Sequence, residues 1–212
     1  EMYICTDATA GENVWTNVGA GSDNIQPWYY GGESYGYHSG GEYPYMTAIG
    51  KWAFATDGNS TNVGTLTVAR DRGAGASSDT YSYSAGGAVP NANTIDKMSF
   101  SAEGSSTDVG DLTNDGSWAG QHSATHGYAS GVKSYAIPAS TVLNRINKYS
   151  FSTDGNATNI GDLTVARYDG GGNSTETHGY MIGGADAIPS TNNQQNTIDK
   201  WSFSSDGNAV DV

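Results

Sequence analysis

The stretch Ile198–Asn208, IDKWSFSSDGN, is written three more times in the chain, as IGKWAFATDGN from Ile49, IDKMSFSAEGS from Ile95 and INKYSFSTDGN from Ile146. The copies fall about fifty residues apart, a period that belongs to repeat architectures. Within one copy Trp52 and Phe54 share one face of an extended chain, while Ile49, Lys51 and Ala53 share the other. That alternation is a strand's. The DGN or EGS that follows brings a glycine able to take positive φ, so the expectation is a tight hairpin. The returning run also repeats, as TNVGTLTVAR from Thr61, TDVGDLTND from Thr107 and TNIGDLTVAR from Thr158, and begins again at Val210. Its threonines and valines suit a pleated strand.

Upstream of each copy lies a second recurring unit: SYGYHSGG from Ser34, TYSYSAGG from Thr80, THGYASGV from Thr125 and THGYMIGG from Thr177. Aligned on the glycines, Tyr35, Tyr81, His126 and His178 form one column, and Tyr37, Tyr83, Tyr128 and Tyr180 another. Glycine- and serine-rich segments before them, RGAGASS from Arg72 and WAGQHSA from Trp118, read as one further short strand. Each repeat then holds four antiparallel strands, apolar on both faces and able to bury them only against like neighbours. That is the logic of a β-propeller blade. The blades run over approximately 27–70, 71–115, 116–167 and 168–212. The last ends part-way along its outer strand, so a continuing chain or a strand from another chain is expected to complete it. Residues 1–26 lie outside the repeat and read as a small β-hairpin module, with strands at Met2–Thr6 and Val14–Val18 and a joint at Ser22–Gln26.

Aliphatic residues are few and the net charge is −13, values that taken alone suggest disorder. The 14 Tyr, 5 Trp and fixed strand period supply the missing burial, and the 30 Gly read as turns. With nine Lys plus Arg there is no basic stripe to displace counterions, so nucleic acid is not an expected partner. No apolar run approaches the length of about eighteen residues that spans a membrane, and membrane insertion is not expected. Cys5 is the only cysteine, which excludes an internal disulfide, and four His without cysteine partners argue against structural zinc.

The order arginine, small residues, aromatic strand, double glycine, variable loop, aromatic strand, turn, second strand resembles the kelch repeat. Gly40 and Gly41, Gly86 and Gly87, and Gly183 and Gly184 stand at its double glycine, and Arg70 and Arg167 close repeats. The third repeat has Val132 for the second glycine, and the second ends in Asn114 rather than arginine. The wording of Thr153–Arg167, TDGNATNIGDLTVAR, resembles kelch-type repeats in structural proteins of marine bacteriophages, tail or fibre components especially. The opening MYICTDATAGENVWTNVG resembles the short module that leads into such domains. This resemblance covers nearly the whole chain and concerns architecture and setting. It implies an all-β, kelch-like β-propeller that serves as a non-enzymatic virion structural protein in a tail, fibre or surface appendage. The particle surface would be its location, other virion proteins and a host-surface glycan its partners, and a homo-oligomer such as a trimer its assembly. A secreted or cell-surface bacterial lectin or adhesin of the same fold is the alternative. Some kelch propellers are copper oxidases, but those sites need convergent Tyr, His and Cys, and Cys5 lies outside the blades. No catalytic residue, metal or cofactor is therefore expected.

Among candidate sites, His126 and His178 share a column with tyrosines, so the slot calls for a flat, half-polar side chain that packs. Lys51, Lys97, Lys148 and Lys200 recur in every repeat. The scaffold reading packs each stem between blades with the ammonium on a nearby carboxylate such as Asp96 or Asp199. Asp57, Asp154 and Asp206 precede glycine in turns and lack the alternating oxygens of a calcium loop. Asn59, Asn156 and Asn173 match short glycosylation sequons, a weak signal. Gly73 and Gly170 open glycine runs without the strand-then-helix context of a phosphate cradle. The loops after the double glycines differ where the rest repeats, and binding usually resides in such loops. Tyr43, Tyr45 and Tyr135 are the candidates there for stacking on sugar rings.

Overall fold

The computed structural model describes residues 3–7, 14–17, 34–42, 44–88, 92–134, 141–186 and 193–212. The chain divides into two compact units, Glu1–Ser34 and Tyr35–Val212. In the first, β1 (Tyr3–Asp7) and β2 (Val14–Asn17) pair antiparallel, at the two runs that the sequence marks as strands.

The second unit is all-β, with no helix among the described residues. The first repeat supplies β3 (Tyr35–Ser39), β4 (Ala48–Ala53) and β5 (Thr61–Thr65). The second supplies β6 (Ala74–Ser77), β7 (Tyr81–Ala85), β8 (Thr94–Ser99), a two-residue β9 (Gly104–Ser105) and β10 (Thr107–Asp111). The third gives β11 (Ser117–His122), β12 (His126–Ser134), β13 (Thr141–Ser150) and β14 (Thr158–Asp162). The fourth gives β15 (Gly171–Ser174), β16 (His178–Ile182), β17 (Ile198–Ser202) and β18 (Val210–Asp211).

Repeats two, three and four each fold as a four-stranded antiparallel meander. The first sheet departs from this: β3, β4 and β5 are antiparallel, and its fourth strand is β9, lent by the second repeat and parallel to β5. The segment expected to open the first repeat, 27–33, lies outside the described residues. Register is constant across the repeats. The lysine of each third strand lies opposite the tyrosine of the second, Lys51 with Tyr37, Lys97 with Tyr83, Lys148 with Tyr128 and Lys200 with Tyr180.

The double glycines take conformations that side chains resist. Gly40, Gly86 and Gly183 have φ of 74°, 68° and 63°, and Gly41, Gly87 and Gly184 have φ of 151°, 135° and 103°. In the third repeat Gly131 keeps the left-handed φ of 55°, but Val132 has no such freedom. Val132 instead continues the strand and pairs with Leu143, and the hairpin runs on to Ser134 opposite Thr141. Valine at this position thus accounts for the longest hairpin among the described residues.

The turn after the third strand corrects the sequence reading. It is not a two-residue hairpin, since β4 and β5 are separated by residues 54–60; Gly58 is not at positive φ, but the other turn glycines, Gly104, Gly155 and Gly207, are, at 99°, 156° and 159°. The loop is long because its far arm reaches the preceding sheet. A second set of glycines that geometry demands stands on the outer strand. A Cβ on Gly64, Gly110 or Gly161 would run into the backbone carbonyl of Gly104, Gly155 or Gly207 in the next repeat's turn.

The core lies between sheets. Ile49, Leu66 and Met98 pack between the first and second. Tyr83, Ile95, Leu112, Trp118 and Tyr149 fill the second seam, and Tyr128, Ile146, Leu163, Met181 and Trp201 the third. In each seam a phenylalanine lies against a tyrosine of the preceding sheet: Phe100 on Tyr37 at 4.9 Å between centroids, Phe151 on Tyr83 at 4.6 Å and Phe203 on Tyr128 at 4.5 Å. Such pairs contribute about 0.5–1.5 kcal/mol beyond burial itself.

Candidate functional site

The recurring polar side chains are used within the seams. Lys51 Nζ donates to Glu103 Oε1 at 2.5 Å, Lys97 to Asp154 at 2.8 Å and Lys148 to Asp206 at 2.8 Å. Each lysine therefore reaches the acidic turn residue of the following repeat, as a scaffold role requires, but its partner is not Asp96 or Asp199. Those two aspartates face the other side of their strand, because adjacent residues in a strand point to opposite faces. The bond to Glu103 raises the pKa of Lys51, and the bond to Asp154 that of Lys97. The ammonium of Lys51 also sits over the ring of Tyr35, 3.9 Å from its centroid, and that of Lys97 over Tyr81 at 4.4 Å.

Asn156 and Asn208, one residue past the turn glycines, accept from the amides of Asp111 and Asp162 at 3.0 and 3.1 Å. Nearby backbone amides complete the stitch: Ser106 to Thr65 O, Ala157 to Asp111 O and Ala209 to Asp162 O. The sequence reading weighed Asn156 only as a sequon. Its recurrence beside every turn glycine but one was the available signal.

Asp96 and Asp199 are fully buried acceptors for the segment that closes the preceding repeat. Asp199 accepts from the Thr164 amide at 3.0 Å, its hydroxyl at 2.7 Å and Arg167 Nη1 at 2.7 Å. Asp96 receives the matching bonds from Thr67 and Arg70. Burial lowers the pKa of Arg70, with Asp96 opposing it. At the middle seam both charges are absent: Asn147 accepts from the Thr113 amide at 2.8 Å, and Gly116 stands where the arginines do. The sequence reading placed Asn114 at that position, but the closing segments align through Leu66, Leu112 and Leu163, which puts Gly116 there.

His126 and His178 fill the slot that Tyr35 and Tyr81 fill elsewhere, each with Nδ1 on the hydroxyl of the preceding threonine, at 2.8 and 2.9 Å. Burial, assisted by Lys148, lowers the pKa of His126. Among the described residues no three of His, Cys, Asp and Glu converge as metal ligands would.

Of the loop candidates, Tyr43 and Tyr135 lie outside the described residues, and Tyr45 is half-buried in a turn. All four variable loops join the tyrosine strand of a sheet to its lysine strand (β3 to β4, β7 to β8, β12 to β13 and β16 to β17), so the shared topology gathers them at corresponding ends. Polar contacts order their bases. Asp186 accepts from Asn193 and Gln195 at 3.1 and 2.8 Å, and Ser134 donates to Asp115 at 2.6 Å.

One feature escaped the sequence. A shallow cavity of about 390 Å³ opens at the first sheet, lined by Tyr35, Lys51, Trp52, Asn59 and Glu103 among others. Trp52 occupies the same column as the buried Met98, Tyr149 and Trp201 but is exposed, and among the described residues no sheet packs against it.

No protein-family model matches this chain, and no curated protein matches it. Among solved structures, the one described as the structure of YjhT superposes with a TM-score of 0.62 at 11% identity, over 78% of this chain and 59% of that chain. At that identity the likeness is one of fold alone, and this chain spans about three-fifths of the matched one.

Proposed function

We propose that the four sheets are blades of a kelch-like β-propeller and that the protein is a non-enzymatic binding and structural component of a virion, in a tail, fibre or surface appendage. The observation that carries the binding role is the division of labour between side chains. At the three seams the recurrent Lys, Asp, Asn, Arg and Phe positions hold one sheet to the next, and diversity is left to the loops after the double glycines. A scaffold that repeats while its loops diverge suits recognition at the loop ends. The propeller reading is supported by the strand order shared by repeats two to four, the packing of successive sheets face to face and the fold likeness to the YjhT structure. The virion setting is supported by the resemblance of the repeat wording to phage structural proteins.

Host-surface glycan is the proposed ligand, with Tyr45 the described aromatic on the loops. A glycan array probed with the purified chain tests it: binding to a defined sugar class, weakened by Tyr45→Ala, is expected. Absence of binding to any glycan or host cell would remove recognition and leave the structural role. Peptides of this chain in purified particles are the expected result for the setting, and their absence would overturn it.

A further inference from the structure

Buried aspartates in this molecule are of two kinds. Asp96 and Asp199 recur at the seams, and each carboxylate is filled by a threonine amide, a threonine hydroxyl and an arginine. Asp71 is different. Its side chain is 8% exposed, its Oδ2 lies 3.5 Å from Arg72 Nε, and its Oδ1 has no hydrogen-bond partner among the described residues. A buried acceptor left open is costly, so it calls for an explanation. The scaffold does not ask for an acid there. Asp71 bridges to Ala88 on the way into the second sheet, and the matching bridge on the way into the fourth is made by Tyr168 with Ala185. Both bridging residues are followed by one held at φ 54°, Arg72 and Asp169. Asp71 also stands between two of the variable loops. The first is tied to this corner by Gly41 N on Arg70 O and by Arg70 N on Met46 O, and the second begins at Ala88. The first loop brings Glu42, whose carboxylate lies 3.8 Å from Arg72 Nη2. Burial raises the pKa of Asp71, Arg72 opposes that, and Glu42 and Asp169 add to it.

We propose that Asp71, Arg72 and Glu42 form a subsite for two adjacent hydroxyls of an uncharged sugar ring, which rests on the glycan reading above and gives it a place and a chemistry. One hydroxyl donates to the open Asp71 Oδ1. Its neighbour accepts from the Arg72 guanidinium and donates to Glu42. Acceptors and donors stand side by side here, and a hydroxyl is the group that answers both. Charge balance argues against the alternatives. The carboxylates of Glu42, Asp71 and Asp169 and a net charge of −13 oppose an anionic ligand. An ammonium would be brought against Arg72, which already faces both Asp71 and Glu42. A metal ion would need more ligands than converge, since among the described residues no three of His, Cys, Asp and Glu do so. Tyr45 lies in the same turn as Glu42, which Met46 N closes on Gly41 O at 3.2 Å. The aromatic proposed for stacking and the polar subsite thus belong to one loop and the corner it is tied to.

Titrating the purified chain with the methyl pyranosides of glucose, galactose and mannose, while following the arginine Nε–H groups in proton–nitrogen correlation spectra, tests it. At least one of these sugars is expected to bind and to move the Arg72 resonance. Asp71→Asn, Glu42→Gln and Arg72→Asn are each expected to weaken that binding about tenfold or more; asparagine is chosen at Arg72 because it tolerates the left-handed backbone. Lys148→Ala, at a seam, is expected to bind as the parent does. Circular dichroism checks that each variant folds, and Glu42→Gln, on a part-exposed turn, carries the test if Asp71→Asn does not. Glucosamine and glucuronic acid are expected to bind more weakly than the neutral sugars, and a preference for either would overturn the chemistry proposed. Variants that bind a glycan found on the array as the parent does would overturn this subsite and leave the glycan reading standing. An Arg72 resonance unmoved by every neutral sugar would also overturn it, and an array on which no glycan binds would remove the glycan reading and the subsite together.

Discussion

Replacing Asp199 with asparagine keeps its shape and removes its charge at a site where both it and Arg167 are fully buried. The asparagine amide group cannot accept from the Thr164 amide, the Thr164 hydroxyl and Arg167 as the carboxylate does. The guanidinium is left with the carbonyls of Val165 and Met181, at 3.3 and 3.1 Å. Breaking a buried pair on one side costs about 3–5 kcal/mol, since an uncompensated charge stays buried. With a urea m-value of about 2 kcal/mol/M, the midpoint should fall by roughly 1.5–2.5 M. Urea unfolding followed by tryptophan fluorescence measures this, with Trp201 in the same strand as reporter. Amide exchange across β16 and β17 shows whether the last sheet opens first, as nearest-neighbour coupling between repeats predicts. The double variant Arg167→Met, Asp199→Asn should recover most of the loss, because the middle seam already works in neutral form with Asn147 and Gly116. A cost below about 1 kcal/mol for Asp199→Asn, or no recovery in the double variant, would refute the argument.

Gly161→Ala should destabilise by about 1–3 kcal/mol, since its Cβ meets the Gly207 backbone, whereas Gly58→Ala, with open space around it, should stay within about 0.5 kcal/mol; thermal unfolding of the pair decides. Lys148→Ala should cost at most about 1 kcal/mol, less in high salt, because its bond to Asp206 is part-exposed; a salt-independent loss above 2 kcal/mol would contradict it. Burial pushes the Tyr128 phenol up to about 12 and raises those of Tyr83 and Tyr149. Folding thus favours the protonated form, so this stability is intact below about pH 10 and is lost as pH rises through the folded values. Urea midpoints from pH 8 to 12 should fall accordingly. Tyr149→Phe should flatten the fall and cost little at pH 7, since the Tyr149 hydroxyl is buried without a hydrogen-bond partner.

The four-stranded meanders of repeats two to four and the pairing of Lys51 with Tyr37 follow from local pattern, because alternation and a period near fifty are properties of the chain itself; the strand lent to the first sheet by repeat two does not. The scaffold role of the lysine column was legible from recurrence, but its partners were not. Nothing local distinguishes Asp199, buried under Arg167, from Asp206, set out to meet Lys148, until sheets are laid against one another. The same holds for Gly161, whose need for a bare backbone comes from another repeat's turn. It holds also for Trp52, whose exposure against the burial of Met98, Tyr149 and Trp201 its own strand does not encode. Sequence determined what each sheet is, since strand periodicity is written residue by residue; tertiary structure alone decided which faces meet, since close packing is a relation between distant segments.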